Sequence, residues 1–160
     1  MAKMAEFRTI MESYGIHMKN SIYTNLSMLS RSPERHTHVA FLLDKRHNVL
    51  SYKPNVYFKT KTFPYSQHAE IAAIINYYSK KVIRPNNNNN KILLVIKLKT
   101  KTLGSSKPCK YCAAFILNNW DNLKLKQVIY SDTNGRLNVL EKNDLIHGDF
   151  CLPSSARVRN

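Results

Sequence analysis

From about Lys3 to Leu29, apolar side chains recur at i, i+3 and i+4: Phe7, Ile10, Met11, Tyr14, Met18, Ile22, Leu26 and Leu29. This spacing predicts one or two helices, with Gly15 able to interrupt them. The period then shortens. "HVAFLLD" (His38 to Asp44) and "VLSYK" flank "KRHN" and predict two strands joined by a turn. "SQHAEIAAIINYYSKKV" restores the helical period, with Ser66 able to cap and Glu70 in the first turns, so a helix is expected from Ser66 to about Lys80. "KILLVIKLK" (Lys91 to Lys99) is apolar almost throughout and fits a buried central strand. "PCKYCAAFILNNW" opens on a proline, which suits a helix start, and keeps helical periodicity. "KQVIYS" reads as a strand. The Asn-Gly of "DTNGR" predicts that "RLNVLE" returns antiparallel beside it.

The order helix, strand, strand, helix, strand, helix, strand, strand argues for an α/β fold: a three-layer α/β/α sandwich, with helices on both faces of a mixed five-stranded sheet. One domain is expected over 1–150, followed by a basic C-terminal tail at 151–160. Pro85 to Asn90 is a polyasparagine segment without packing information and reads as a surface loop insertion.

Charge sharpens the picture. Lys and Arg number 25 against 10 Asp and Glu, a net +15. Between Ile71 and Trp120 stand nine basic residues and no acidic one. Such a field attracts phosphate-bearing partners, either nucleotides or single-stranded nucleic acid. No apolar run approaches a membrane span and the N-terminus has no secretory core, so a soluble, intracellular protein without a membrane partner is expected. Three cysteines, an odd number, make no disulfide framework and favour metal or redox chemistry for a close pair.

That pair is Cys109 and Cys112. At i and i+3 in the first turn of a helix, two thiols point the same way, and the helix N-terminus favours the thiolate. Alone, they could be a redox pair or half of a structural metal site. "HAE" at the start of the preceding helix can supply a third ligand, His68, with Glu70 two residues on. Three protein ligands leave a fourth tetrahedral position open, the arrangement of catalytic zinc, and Glu70 is placed to carry protons.

H-x-E followed by P-C-x-x-C is the zinc deaminase signature. On "HAE" and "PCKYC", the chain from about His36 to Val139 resembles the cytidine and deoxycytidylate deaminase superfamily, which also includes deaminases of tRNA adenosine and of polynucleotide cytosine. The resemblance implies Zn²⁺ on His68, Cys109 and Cys112, with Glu70 shuttling protons. More loosely, it places Asn55, at the end of the second strand, against a substrate sugar. It also implies self-association, because these enzymes often complete their pockets across subunits. Phe63 and Tyr65, in the loop entering the His68 helix, are candidates to line a base pocket.

The motif serves cytosine or adenine alike. A short hairpin at Asp132 to Arg136 favours cytosine in a nucleoside or nucleotide such as cytidine or dCMP, since the tRNA and polynucleotide enzymes usually insert a helix there. Against this, free cytidine deaminases carry cysteine where this chain has His68. A deaminase of single strands, tracked by the lysines from Lys91 to Lys110, is the alternative. A non-catalytic protein held together by zinc is the third, disfavoured by the presence of Glu70. His36, His38 and His47 read as scattered surface histidines, Cys151 as a free thiol, and Tyr77, Tyr78, Phe115 and Trp120 as core.

Overall fold

The computed structural model describes residues 2–29, 37–59, 64–80, 89–98 and 103–152. In chain order the elements are α1 (Ala2–Ser13), α2 (Asn20–Leu29), β1 (Thr37–Leu43), β2 (Val49–Pro54), β3 (Val56–Lys59), β4 (Pro64–Gln67), α3 (Ala69–Ser79), β5 (Lys91–Leu98), β6 (Leu103–Gly104), α4 (Lys110–Leu123), β7 (Leu125–Ser131), β8 (Leu137–Leu140) and α5 (Lys142–His147).

The two longest apolar runs become neighbouring strands inside the main sheet. β1 pairs antiparallel with β5 from Thr37↔Leu98 to Leu43↔Ile92. β2 pairs antiparallel on the outer side of β1, β7 runs parallel to β5, and β8 returns antiparallel to β7. The sheet is therefore mixed and open, in the order β2-β1-β5-β7-β8, with the two-residue β6 also pairing with β5. The five strands expected from the sequence are all present, and β6 is an addition.

Alternation along β1 and β5 sorts the core into two apolar clusters. Val39, Phe41, Leu43, Ile92, Leu94 and Ile96 pack with Phe7 and Met11 of α1 and Ile22 and Leu26 of α2. Ala40, Leu42, Leu93 and Val95 point the other way and pack with Ala73 and Ile74 of α3 and Ile116 and Trp120 of α4. Side chains two apart on a strand share a face, so a continuous apolar run supplies both clusters. Fully burying each large side chain contributes roughly 1.5–3 kcal/mol.

Several expectations are corrected. α3 starts at Ala69 rather than Ser66, because β3 and β4 form a separate antiparallel hairpin, from Val56↔Gln67 to Lys59↔Pro64, that holds the chain extended up to His68. Ser66 is thus a strand residue, and the cap is His68. The short helix α5 was not expected. Its six residues are too few to show a period, but Glu141 and Asp144 form a reciprocal capping box at its start. Tyr78 is 48% exposed and donates its hydroxyl to Asn119 Oδ1, whereas Trp120 is buried.

The β7–β8 hairpin is as expected. Asp132 accepts from the amides of Asn134 and Arg136, and Gly135 takes a φ of 76° that suits glycine. Of the polyasparagine, 85–88 lies outside the described residues; Asn89 and Asn90 are exposed where the chain enters β5. Of the basic tail, only Cys151 and Leu152 are described. No helix among the described residues is long and apolar enough to cross a membrane.

Candidate metal centre

α3 and α4 pack on the same face of the sheet and begin at adjoining points. His68 is the N-cap of α3, extended at φ −66° and ψ 150°, and its carbonyl accepts from the Ala72 amide. Its side chain does not cap the helix, which leaves the ring free to face α4. Cys109 is the N-cap of α4, fixed by the bond from the Ala113 amide to its carbonyl at 2.8 Å, and its Sγ accepts from the Cys112 amide at 3.5 Å. Pro108, buried just before it, suits a chain about to enter a helix.

His68 Nδ1 lies 3.2 Å from Cys112 Sγ and 3.5 Å from Cys109 Sγ. One donor atom from each of the three residues falls within 4.8 Å of the others. Cys112 is fully buried while His68 and Cys109 are half-buried, so the cluster has a closed floor and a more open rim. Two sulfurs and one imidazole nitrogen at this spacing can hold a metal ion. Tetrahedral zinc accepts such a donor set.

The electrostatics suit a cation. The Cys109 pKa is lowered to about 4, first by the hydrogen bond from the Cys112 thiol and then, against burial, by His68 and the Cys112 amide. Cys112 moves the opposite way because its proton is held in that same bond and because it is buried. The two thiols in effect share one proton. The hydrogen bond to Cys109 raises His68, with burial opposing. Glu70, in the first turn of α3, is 5% exposed and meets the Cys112 thiol; burial raises its pKa. A buried carboxyl beside a metal-ligand cluster has the properties of a proton carrier.

The other expected site residues are more scattered. Asn55 follows β2 directly, half-buried, and its amide donates to the His38 carbonyl at 3.1 Å. Tyr65 is on β4 opposite Phe58, in a strand rather than a loop, and Phe63 lies outside the described residues. His36 also lies outside them. His38 sits in β1, and His47 Nδ1 is 2.8 Å from the Gly15 carbonyl, so His47 ties the β1–β2 turn to the end of α1. Cys151 is an exposed free thiol, but its carbonyl accepts from the Lys110 amide at 2.7 Å and so braces the α4 start.

Lys91 cannot serve a polynucleotide track. It is buried, and its Nζ donates to the Leu123 carbonyl at 2.9 Å, closing the end of α4. A cavity of about 730 Å³ lies at the far end of α3 from His68, lined by His17, Lys19, Ser51, Tyr52, Tyr78 and Lys80 among others. Sequence reasoning also missed two buried serines, Ser106 and Ser131, beside the loop that carries Cys109. Serine is mostly a surface residue, so nothing in the local pattern marks them. In comparisons with known proteins, no family model matches the chain, and no curated protein matches it.

Proposed function

We propose that the protein is a zinc-dependent hydrolytic deaminase of a cytosine base carried in a nucleoside or nucleotide, built as a three-layer sandwich of the cytidine deaminase type. One observation carries this reading: a His/Cys/Cys donor cluster within 4.8 Å, at the paired N-termini of two helices, with the buried Glu70 against it. A purely structural zinc site normally has four protein ligands and no use for a buried acid. The direct β7–β8 hairpin, with only Asp132 to Arg136 between its strands, favours a small cytosine substrate. The net +15 favours a phosphate on it.

His68 through Nδ1, with both thiolates, would hold the metal. Zinc bound there supplies a Lewis acid that makes water nucleophilic at neutral pH. Glu70 does the proton work. Its carboxylate takes one proton of the attacking water and delivers it to the ring nitrogen beside the reacting carbon, then takes the second proton from the hydroxyl now on that carbon and gives it to the amine as ammonia departs. Burial helps, since it raises the carboxyl pKa and so favours the protonated form that must be handed on to the substrate. Water at C4 and ammonia out convert cytosine to uracil.

The test is ammonia release from dCMP, cytidine, guanine and cytosine- or adenine-containing single strands, with metal content measured on the same samples. Turnover on dCMP or cytidine that is lost in Glu70→Ala, with zinc retained, is expected. One zinc per chain with no turnover on any of these substrates would sink the enzymatic reading.

A further inference from the structure

The loop from β6 to α4 is pinned three residues before Cys109 by a knot of two buried hydroxyls. Ser106 is 3% exposed and Ser131, the last residue of β7, is 0% exposed. Ser106 Oγ donates to the Val95 carbonyl of β5 at 2.6 Å and lies 2.9 Å from Ser131 Oγ. The Ser131 amide donates to Ser106 Oγ at 2.8 Å, and the Ser106 amide donates to the Ser131 carbonyl at 2.8 Å. Ser131 Oγ donates to the Gly104 carbonyl at 2.6 Å and accepts from the Lys97 amide at 3.2 Å. One loop residue is thereby fastened to both parallel strands, and the last residue of β7 to β6 as well.

Such a network is costly to bury unless every member is satisfied, and once satisfied it specifies one geometry. It lies at the end of β5 and β7 from which the chain leaves for α4. From there the chain has little freedom. Pro108 fixes its own φ and restricts Lys107 to extended backbone, so the position of Ser106 is transmitted to Cys109. On the far side, the Cys151 carbonyl holds the Lys110 amide. Cys109 is thus held from both directions, while Cys112 is set by the helix itself.

We propose that Ser106 and Ser131 are positioning residues for the metal centre: their hydroxyl knot sets where Cys109 Sγ stands relative to His68 and Cys112. This inference rests on the metal-binding reading above and extends it to groups outside the ligand set. Groups that hydrogen-bond a metal ligand directly change the metal's affinity by about 10–100-fold when removed, and the two serines, which reach Cys109 through the chain, should act at the low end of that range.

The experiment compares full-length wild type, Ser106→Ala, Ser131→Ala, Ser106→Thr and Leu26→Ala. Leu26 is a fully buried residue of α2 in the other cluster and controls for general loss of stability. Zinc affinity is read by competition with a chromophoric chelator. Cobalt geometry is read from the thiolate-to-cobalt charge-transfer and ligand-field bands. Ser106→Ala and Ser131→Ala are expected to weaken zinc by about 10-fold and to shift the cobalt bands. Ser106→Thr, which keeps the hydroxyl, should restore both, and Leu26→Ala should lower the melting temperature without moving either. If Ser106→Ala does not fold, Ser131→Ala makes the same test from the other side. Wild type that binds no metal would remove the metal reading and this inference together. Wild type that binds, with both alanine variants binding alike and giving the same cobalt spectrum, would overturn this inference alone.

Discussion

Zinc should act on this protein as a fold stabiliser of measurable size. His68 and Cys109 are 41 residues apart in sequence, yet their donor atoms lie 3.5 Å apart at the starts of two helices. An ion held there links α3 to α4 in the native state, and the unfolded chain has no such site. Binding to the native state alone stabilises by RT ln(1 + [Zn]/Kd), about 4 kcal/mol at a thousandfold excess over Kd. At roughly 2–4 °C per kcal/mol for a chain of this size, the melting temperature should rise by about 8–16 °C between chelator and saturating zinc. Residual binding of zinc to unfolded Cys and His would pull this toward the low end. The assay is thermal unfolding by circular dichroism in chelator and across a zinc titration, on wild type and on Cys109→Ala/Cys112→Ala. A wild-type melting temperature indifferent to zinc, or a double variant that shifts as far as wild type, would refute the reasoning.

Two further outcomes are expected. Zinc affinity should climb as the pH is raised: Cys109, with a pKa lowered to about 4, gives up its proton first, whereas the hydrogen bond to Cys109 raises His68, and that bond together with burial raises Cys112, so the metal competes with protons on both. A pH-independent Kd in competition titrations would contradict that protonation scheme. Ile116→Ala, at a fully buried position of α4 against the sheet, should cost about 2–5 kcal/mol of stability in urea unfolding at constant zinc. A loss under 1 kcal/mol would mean that α4 is not packed as described.

Legibility followed the range of the interactions. "KILLVIKLK" could be read as a buried strand, and "HVAFLLD" as a strand, because each carries its signal in its own side chains; β1 and β5 are neighbouring inner strands with apolar residues on both faces. The His/Cys/Cys donor cluster was legible because His68, Cys109 and Cys112 each sit at a helix start that Pro108 or the local period announces. What failed depended on partners elsewhere. The β3–β4 hairpin has a Lys- and Thr-rich sequence between its strands and a proline at the head of β4, so no strong turn or alternation signal survives, and Ser66 passed for a cap. Lys91 looked like a surface cation, although the Leu123 carbonyl that holds it lies 32 residues on. The Ser106–Ser131 knot spans 25 residues between two ordinary serines.

The two clusters give the sheet an address system for inherited change. On β1, substitutions at Val39, Phe41 and Leu43 are felt by α1 and α2, while substitutions at Ala40 and Leu42 are felt by the helices that carry His68 and the cysteines. On β5 the parity reverses, with Ile92, Leu94 and Ile96 on the first face and Leu93 and Val95 on the second. If the proposed site is what selection holds, drift can rework the contacts of the N-terminal helices while the face that carries His68 and the cysteines stays under constraint, and odd and even positions of the same strand should evolve at different rates.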